Sequence, residues 1–257
     1  MPHVTLQCKP RTRVFILCAG RGRRWNNYLG LPKQLISFNG ESILARTIRL
    51  LRERGLSDIV CVTHDPRLTI PGISRLRPKA CTYLVDTLLS LNGHWHFRNI
   101  VLLGDVFFTE RAMRNIVECV DEVRVFGRPW SSKLAHCRHG ELFGMVFSHG
   151  ATEQIESTAR AVQKLAECGA RGNLWDFYHL LVGLPFNSGR AESSAFRVID
   201  DLTNDFDKPE DYIRSADRYL AATSRSRVER FQLAVGLTMV MPFHLLQRRA
   251  VAIGNKT

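Results

Sequence analysis

Residues 14–18 (VFILC) form an unbroken apolar run that gives way at once to Ala19-Gly20-Arg21-Gly22-Arg23-Arg24. A strand that is apolar at every position has both faces buried, which points to the interior of a parallel sheet covered by helices. The abrupt change to glycine and arginine sets a cationic loop at the carboxyl end of that strand. Sheets of this kind bind their ligands there, near a topological switch point.

The pattern downstream supports the same architecture. Residues 42–54 carry Ile43, Leu44, Thr47, Ile48 and Leu51 on one helical stripe, with Gly55 placed to cap the end. Residues 58–63 (DIVCVT) read as a second buried strand, 82–91 as a helix through Leu84, Leu88 and Leu91, and 99–103 as a third strand. That third strand runs straight into Gly104-Asp105. A helix is expected from Thr109 to about 120, short strands at 123–126 and 142–147, and helices over 152–167 and 173–182. A late strand at 196–199 precedes an acidic stretch and a helix that Pro209 opens. Strand and helix in alternation imply right-handed crossovers and an α/β fold with a mostly parallel central sheet flanked by helices.

A chain of 257 residues with 45% hydrophobic and 23% charged residues can bury one sizeable core. The N-terminus has no apolar segment of the secretory type. Seven cysteines include no C-x-x-C pair, and Cys18, Cys61, Cys81 and Cys119 lie in or beside apolar stretches, which suits a reducing cytoplasm. The net charge of +12 favours anionic partners. The basic residues are dispersed, and no aromatic residues interleave them as a single-strand nucleic-acid platform requires, so nucleic acid is not the expected main partner.

The Gly20–Gly22 segment is not a Walker A loop, since no G-x-x-x-x-G-K-[ST] occurs near it. Nor is it a dinucleotide fingerprint, because Trp25 stands where the third glycine belongs. Two glycines that let backbone N–H groups approach a ligand, amid a cluster of cations, suit a polyphosphate. The stretch through Pro32-Lys33-Gln34-Leu35 is read as an exposed loop.

Taken together, LCAGRGRRW, LPKQL and NGESIL resemble the opening signature of the GT-A-like nucleotidyltransferase superfamily. That group includes sugar-1-phosphate nucleotidyltransferases, bacterial phosphocholine cytidylyltransferases and molybdenum-cofactor guanylyltransferases. The resemblance implies an NTP transferase domain over residues 1–220 with a small lid around 121–150, and a helical extension over 221–257. It implies transfer of NMP from an NTP to a sugar-1-phosphate or phosphorylated alcohol, with release of pyrophosphate. Arg24 would hold the outer phosphates and Lys33 the α-phosphate. Cys18, Ala19, Gly20, Arg21, Gly22, Thr82 and Thr87 would line the nucleotide. Asp105 would ligate a catalytic Mg2+, completed by Asp207 with Asp205 in reserve. Lys133, Arg128 and Glu141 would meet the acceptor.

Rival acceptors are a molybdopterin-type or an isoprenoid phosphate, and a rival of another class is a non-catalytic nucleotide- or nucleic-acid-binding protein. His94-x-His96 and His136-Cys137-x-His139 lack the full spacing of a zinc motif. Residues 231–246 carry no Asp, Glu, Lys or Arg, yet they are shorter than the about 20 residues a spanning helix needs and contain Pro242. A terminal helix packed on the core or at a subunit contact is expected there.

Overall fold

The computed structural model describes residues 11–223 except 136, 187–190 and 192–193. In chain order the elements are β1 (Thr12–Leu17), β2 (Ser37–Phe38), β3 (Glu41–Ser42), α1 (Ile43–Arg52), β4 (Ile59–Val62), β5 (Ser74–Leu76) and α2 (Leu84–Leu89). There follow β6 (Arg98–Leu103), β7 (Val106–Phe107), α3 (Glu110–Val117), β8 (Val123–Arg128), β9 (Glu141–Ser148) and α4 (Thr152–Glu167). The last are α5 (Leu174–Leu181), β10 (Phe196–Val198), β11 (Asn204–Asp205) and α6 (Pro209–Thr223).

Seven strands form the central sheet in the order β10-β8-β9-β6-β1-β4-β5. β1 pairs in parallel with β4 on one side and β6 on the other, and β9 alone runs against its neighbours β6 and β8. The apolar run at β1 behaves as its composition demands. Val14, Ile16 and Cys18 face a core shared with α1 and α3, and Phe15 and Leu17 face a second core shared with α2, α4 and α5. The chain steps from β1 to β4 and β5 in one direction, then returns to β6 on the far side of β1. The switch point therefore lies between the ends of β1 and β6, where the glycine loop and Asp105 emerge.

The two-residue strands β2, β3, β7 and β11 were not expected from periodicity. They matter because β11 pairs antiparallel with β7, Asn204 opposite Phe107 and Asp205 opposite Val106. This pairing returns the acidic stretch to the end of β6. A third apolar cluster sits beneath it, built from Trp25, Ile36, Phe38, Ile43, Phe107, Phe206 and Tyr219. Within the segment expected to carry a lid, β8 and β9 occupy 123–128 and 141–148 of the sheet. Residues 129–140 connect the two strands. No helix among the described residues is long and apolar enough to cross a membrane. The expected helix over 231–246 lies outside the described residues.

Gly104 is required where β6 meets the loop. A Cβ there would run into Cys18 Sγ, 3.0 Å from Leu17 O and 3.3 Å from Ile16 Cγ2. Its N–H donates to Leu17 O at 3.0 Å, which locks the end of β6 to β1 and fixes where Asp105 starts. Gly104→Ala should therefore destabilise the fold by about 1–3 kcal/mol through overpacking. Chemical denaturation measures it, and a wild-type midpoint would contradict this packing.

Candidate active site

β1 ends at Leu17, and Cys18 and Ala19 remain buried before the chain surfaces at Gly20. Gly22 has φ +56°, a left-handed conformation that a side chain resists, and its carbonyl accepts from Trp25 N at 2.9 Å and Asn26 N at 3.2 Å. That turn drops the Trp25 ring into the third apolar cluster, where only 2% of it is exposed. Trp25 Nε1 donates to Leu31 O at 2.9 Å, which closes the loop back on itself. A single 3-10 turn, Lys33–Leu35, then presents Lys33.

Lys33 is not the exposed loop lysine expected from sequence, since its side chain is 12% exposed. Its Nζ pairs with Asp105 Oδ2 and lies 3.7 Å from Asp207 Oδ1. Arg24 Nη1 reaches Asp207 Oδ2 at 2.7 Å. Burial works against the Lys33 charge, but Asp105 first, then Asp207 and Asp205, outweigh it and raise the pKa. The ammonium is thus a fixed positive charge at neutral pH.

Two clefts meet at this cluster. One, of about 480 Å³, is lined by Ala19, Gly20, Arg21, Gly22, Lys33, Thr82, Thr87 and Asp105 among others. The other, of about 370 Å³, is lined by Arg24, Cys137, Arg138, His139, Glu141, Asn204, Asp205, Asp207, Lys208, Glu210, Asp211 and Arg214. A smaller cleft of about 330 Å³ lies behind the glycine loop, and Cys18 lines that one instead. The Cys18 thiol is raised well above its ordinary pKa by its hydrogen bond with Cys61 and then by burial, so it packs as a neutral group. Lys133 lines none of these three clefts. Its carbonyl, like that of Leu134, accepts from Arg218 Nη1. Arg128 does not face the acceptor side either. It is 0% exposed and bonds inward, to Asp201 O, Thr203 O and Asn204 Oδ1.

The sequence reading had given no site role to Arg138, Lys208 or Arg214, which line the second cleft. Arg138 neighbours the His136-Cys137-x-His139 run, and Arg214 lies one turn into the helix that Pro209 opens. Those were the available signals.

Residues 14–94 match the family model of the MobA-like NTP transferase domain. Solved structures of transferases share the fold of this chain. A CTP:phosphocholine cytidylyltransferase from Streptococcus pneumoniae superposes with a TM-score of 0.55 at 15% identity, over 81% of this chain and 99% of that one. A Bacillus anthracis structure described as a candidate glucose-1-phosphate thymidylyltransferase, in complex with sucrose, gives 0.57 at 12% identity, over 86% and 99%. No curated protein matches the sequence.

The electrostatics of the site are dominated by acids. Asp105, Asp205, Asp207 and Glu141 act on one another, against Lys33 and Arg24 as the nearby cations. Burial first, and then repulsion from Asp207 and Asp105, raises the Asp205 pKa to about 7. Burial, followed by Asp205, Asp207 and Asp105, raises that of Glu141 to about 9. Burial first and the neighbouring acids second thus favour the protonated form of both groups. Among the described residues no group of three or more His, Cys, Asp or Glu side chains is arranged to hold a metal alone. The Asp105 and Asp207 carboxylates both approach the Lys33 ammonium, and carboxylate oxygens are the donors that hard divalent cations take.

These shifts have a sign that can be tested. A carboxyl group whose folded pKa is raised stabilises the fold fully below its unfolded value of about 3.9. That contribution is lost as pH rises through about 7 for Asp205. In divalent-free buffer, Asp205→Asn should gain melting temperature relative to wild type as pH is raised across that interval. A constant difference at all pH values would remove the proposed crowding.

Proposed function

We propose that this protein is a Mg2+-dependent nucleotidyltransferase that moves NMP from an NTP to a sugar-1-phosphate or similar phosphorylated alcohol and releases pyrophosphate. The observation that carries this is a single lysine ammonium between two carboxylates of distant segments, at the junction of two clefts. Neither nucleotide binding nor packing requires such an arrangement.

The NTP occupies the larger cleft, its triphosphate along Gly20, Arg21 and Gly22 and its base toward Thr82 and Thr87. Gly20 has open space around it, and Gly22 turns the backbone so that N–H groups can face phosphate oxygens. The acceptor occupies the second cleft and directs a phosphate oxygen at the α-phosphorus. A bond forms between that oxygen and the α-phosphorus, and the bond from the α-phosphorus to the α,β-bridging oxygen breaks. Pyrophosphate carries away the bonding pair. Such a transfer needs alignment and neutralised charge more than covalent help. Lys33 supplies a fixed charge at the α-phosphate, and Arg24, 65% exposed at its side chain, reaches toward the outer phosphates. Asp105 and Asp207 would hold the Mg2+, which when bound offsets the charge of the triphosphate and the crowding of the acids.

The chemistry of the second cleft favours one class of acceptor. Its described lining contains no Trp, Tyr or Phe and is almost wholly charged or polar. A quaternary ammonium is ordinarily held by aromatic faces, and an isoprenoid chain needs an apolar wall. A polyhydroxylated phosphate needs neither. The six described thiols are all free, which fits the cytoplasmic setting of such substrates.

Pyrophosphate release should be read for each of four NTPs against phosphorylated sugars, phosphocholine and isoprenyl phosphate. The sugar phosphates should support turnover, and release with none of the acceptors would overturn the reading. Lys33→Ala should lower turnover by about a hundredfold or more, the order seen for one preorganised charge. It also leaves Asp105 without its partner, so the divalent-free variant should melt below wild type. Near wild-type turnover would remove the role of Lys33.

A further inference from the structure

Arg128 ends β8 with its guanidinium sealed from solvent. Nη1 donates to Asp201 O at 3.1 Å, and Nη2 donates to Thr203 O at 3.2 Å and to Asn204 Oδ1 at 3.0 Å. The Phe143 ring lies 5.5 Å from its central carbon. Every oxygen it binds belongs to the segment that leaves β10 and enters β11. Before that segment, Ile199 N is tied to Gly127 O at 2.8 Å; after it, Asn204 and Asp205 pair with Phe107 and Val106. Between these two anchors the chain crosses the end of β8, and Arg128 is the cation it wraps.

We propose that Arg128 is a positioning residue that sets the height and direction of the acidic strand bearing Asp205 and Asp207, and thereby the affinity of the site for a divalent cation. This rests on the reading of Asp105 and Asp207 as cation ligands. The link is continuous. The guanidinium holds Asn204 Oδ1, and Asn204 Nδ2 in turn donates to Asp205 O at 2.9 Å. The side chain of Asp201 steadies the same segment from the other direction, accepting from Thr109 Oγ1 at 2.6 Å and Thr203 N at 2.8 Å. A planar fork that meets three oxygens has no equivalent in lysine, whose ammonium is a point charge on a flexible stem. Loss of the fork strands buried oxygens beneath the strand, and the segment shifts to rehydrate them.

The test is binding of Mn2+ alone to the full-length protein, followed by electron paramagnetic resonance, beside thermal denaturation. Arg128→Met should weaken Mn2+ binding about tenfold or more, and Arg128→Lys should restore little of it. Arg98→Met serves as the control. That guanidinium also meets three carbonyls, those of Ile116, Val117 and Cys119, but at the end of α3 away from the acids. It should lower the melting temperature and leave Mn2+ affinity as in wild type. Where Arg128→Met fails to fold, Asn204→Ala decides, with an expected weakening of about threefold. Unchanged Mn2+ affinity in Arg128→Met, or in Asn204→Ala where that variant decides, overturns the positioning role while leaving the transferase reading standing. Wild-type protein that binds no Mn2+ overturns the cation site itself.

Discussion

One buried ammonium holds the site together. Lys33 comes from the loop after β1, Asp105 from the end of β6, and Asp207 from a segment about a hundred residues later. Three like-charged neighbours, Asp105, Asp205 and Asp207, act on that lysine at once, so it stays charged although burial disfavours it. Without it the carboxylates would repel one another across the strand ends. With it, and with Arg24 on Asp207, the free protein keeps an acid-lined centre in which burial and the neighbouring acids raise the pKa of Asp205 and Glu141. A divalent cation there, as proposed, would let the remaining carboxyl groups ionise.

The remainder of the fold keeps these three segments in register. β1 and β6 are paired along their whole length, and Gly104 lets them close tightly enough that Asp105 emerges beside the glycine loop. Trp25 and Phe206 enter the same small apolar cluster, Trp25 behind the glycine loop and Phe206 between Asp205 and Asp207. The loop and the acidic strand are therefore anchored in one body of side chains. Tyr219 of α6 packs there too, its ring centroid 4.2 Å from that of Phe107. Rigid support of this kind is what a transfer reaction requires, because its rate depends on the alignment of reacting groups.

Much of this was legible in the residues. The unbroken apolar runs of β1, β4 and β6 announced a covered parallel sheet, and the change to glycine, arginine and aspartate at their ends marked the binding edge. Lys33, Asp105 and Asp207 were named from motif likeness, and the structure brings their side chains together. Other parts carried too little signal. β7 and β11 are two residues long, below any periodicity, yet they place the acidic strand. Asp205 and Asp207 are two apart, and in an extended chain such residues share a face, so sequence could not separate them. Both act on the same cluster. Arg128 and Lys133 were read as cations awaiting an anion. The partners of Arg128 are mostly backbone carbonyls of a distant segment, and no sequence pattern records them. The 121–150 region was read as carrying a small lid from the family resemblance, beside short strands expected at 123–126 and 142–147. Those two strands are β8 and β9, and residues 129–140 connect them.

The central claim is that one cation and one α-phosphate meet at Lys33, Asp105 and Asp207. Crystals grown with Mn2+ and a non-hydrolysable NTP analogue test it directly through the anomalous signal of the metal. The account predicts a peak shared by the Asp105 and Asp207 carboxylates, with the α-phosphate beside Lys33 and the triphosphate along Gly20 and Gly22. Metal bound elsewhere, or a nucleotide whose phosphates lie away from Lys33, would contradict it.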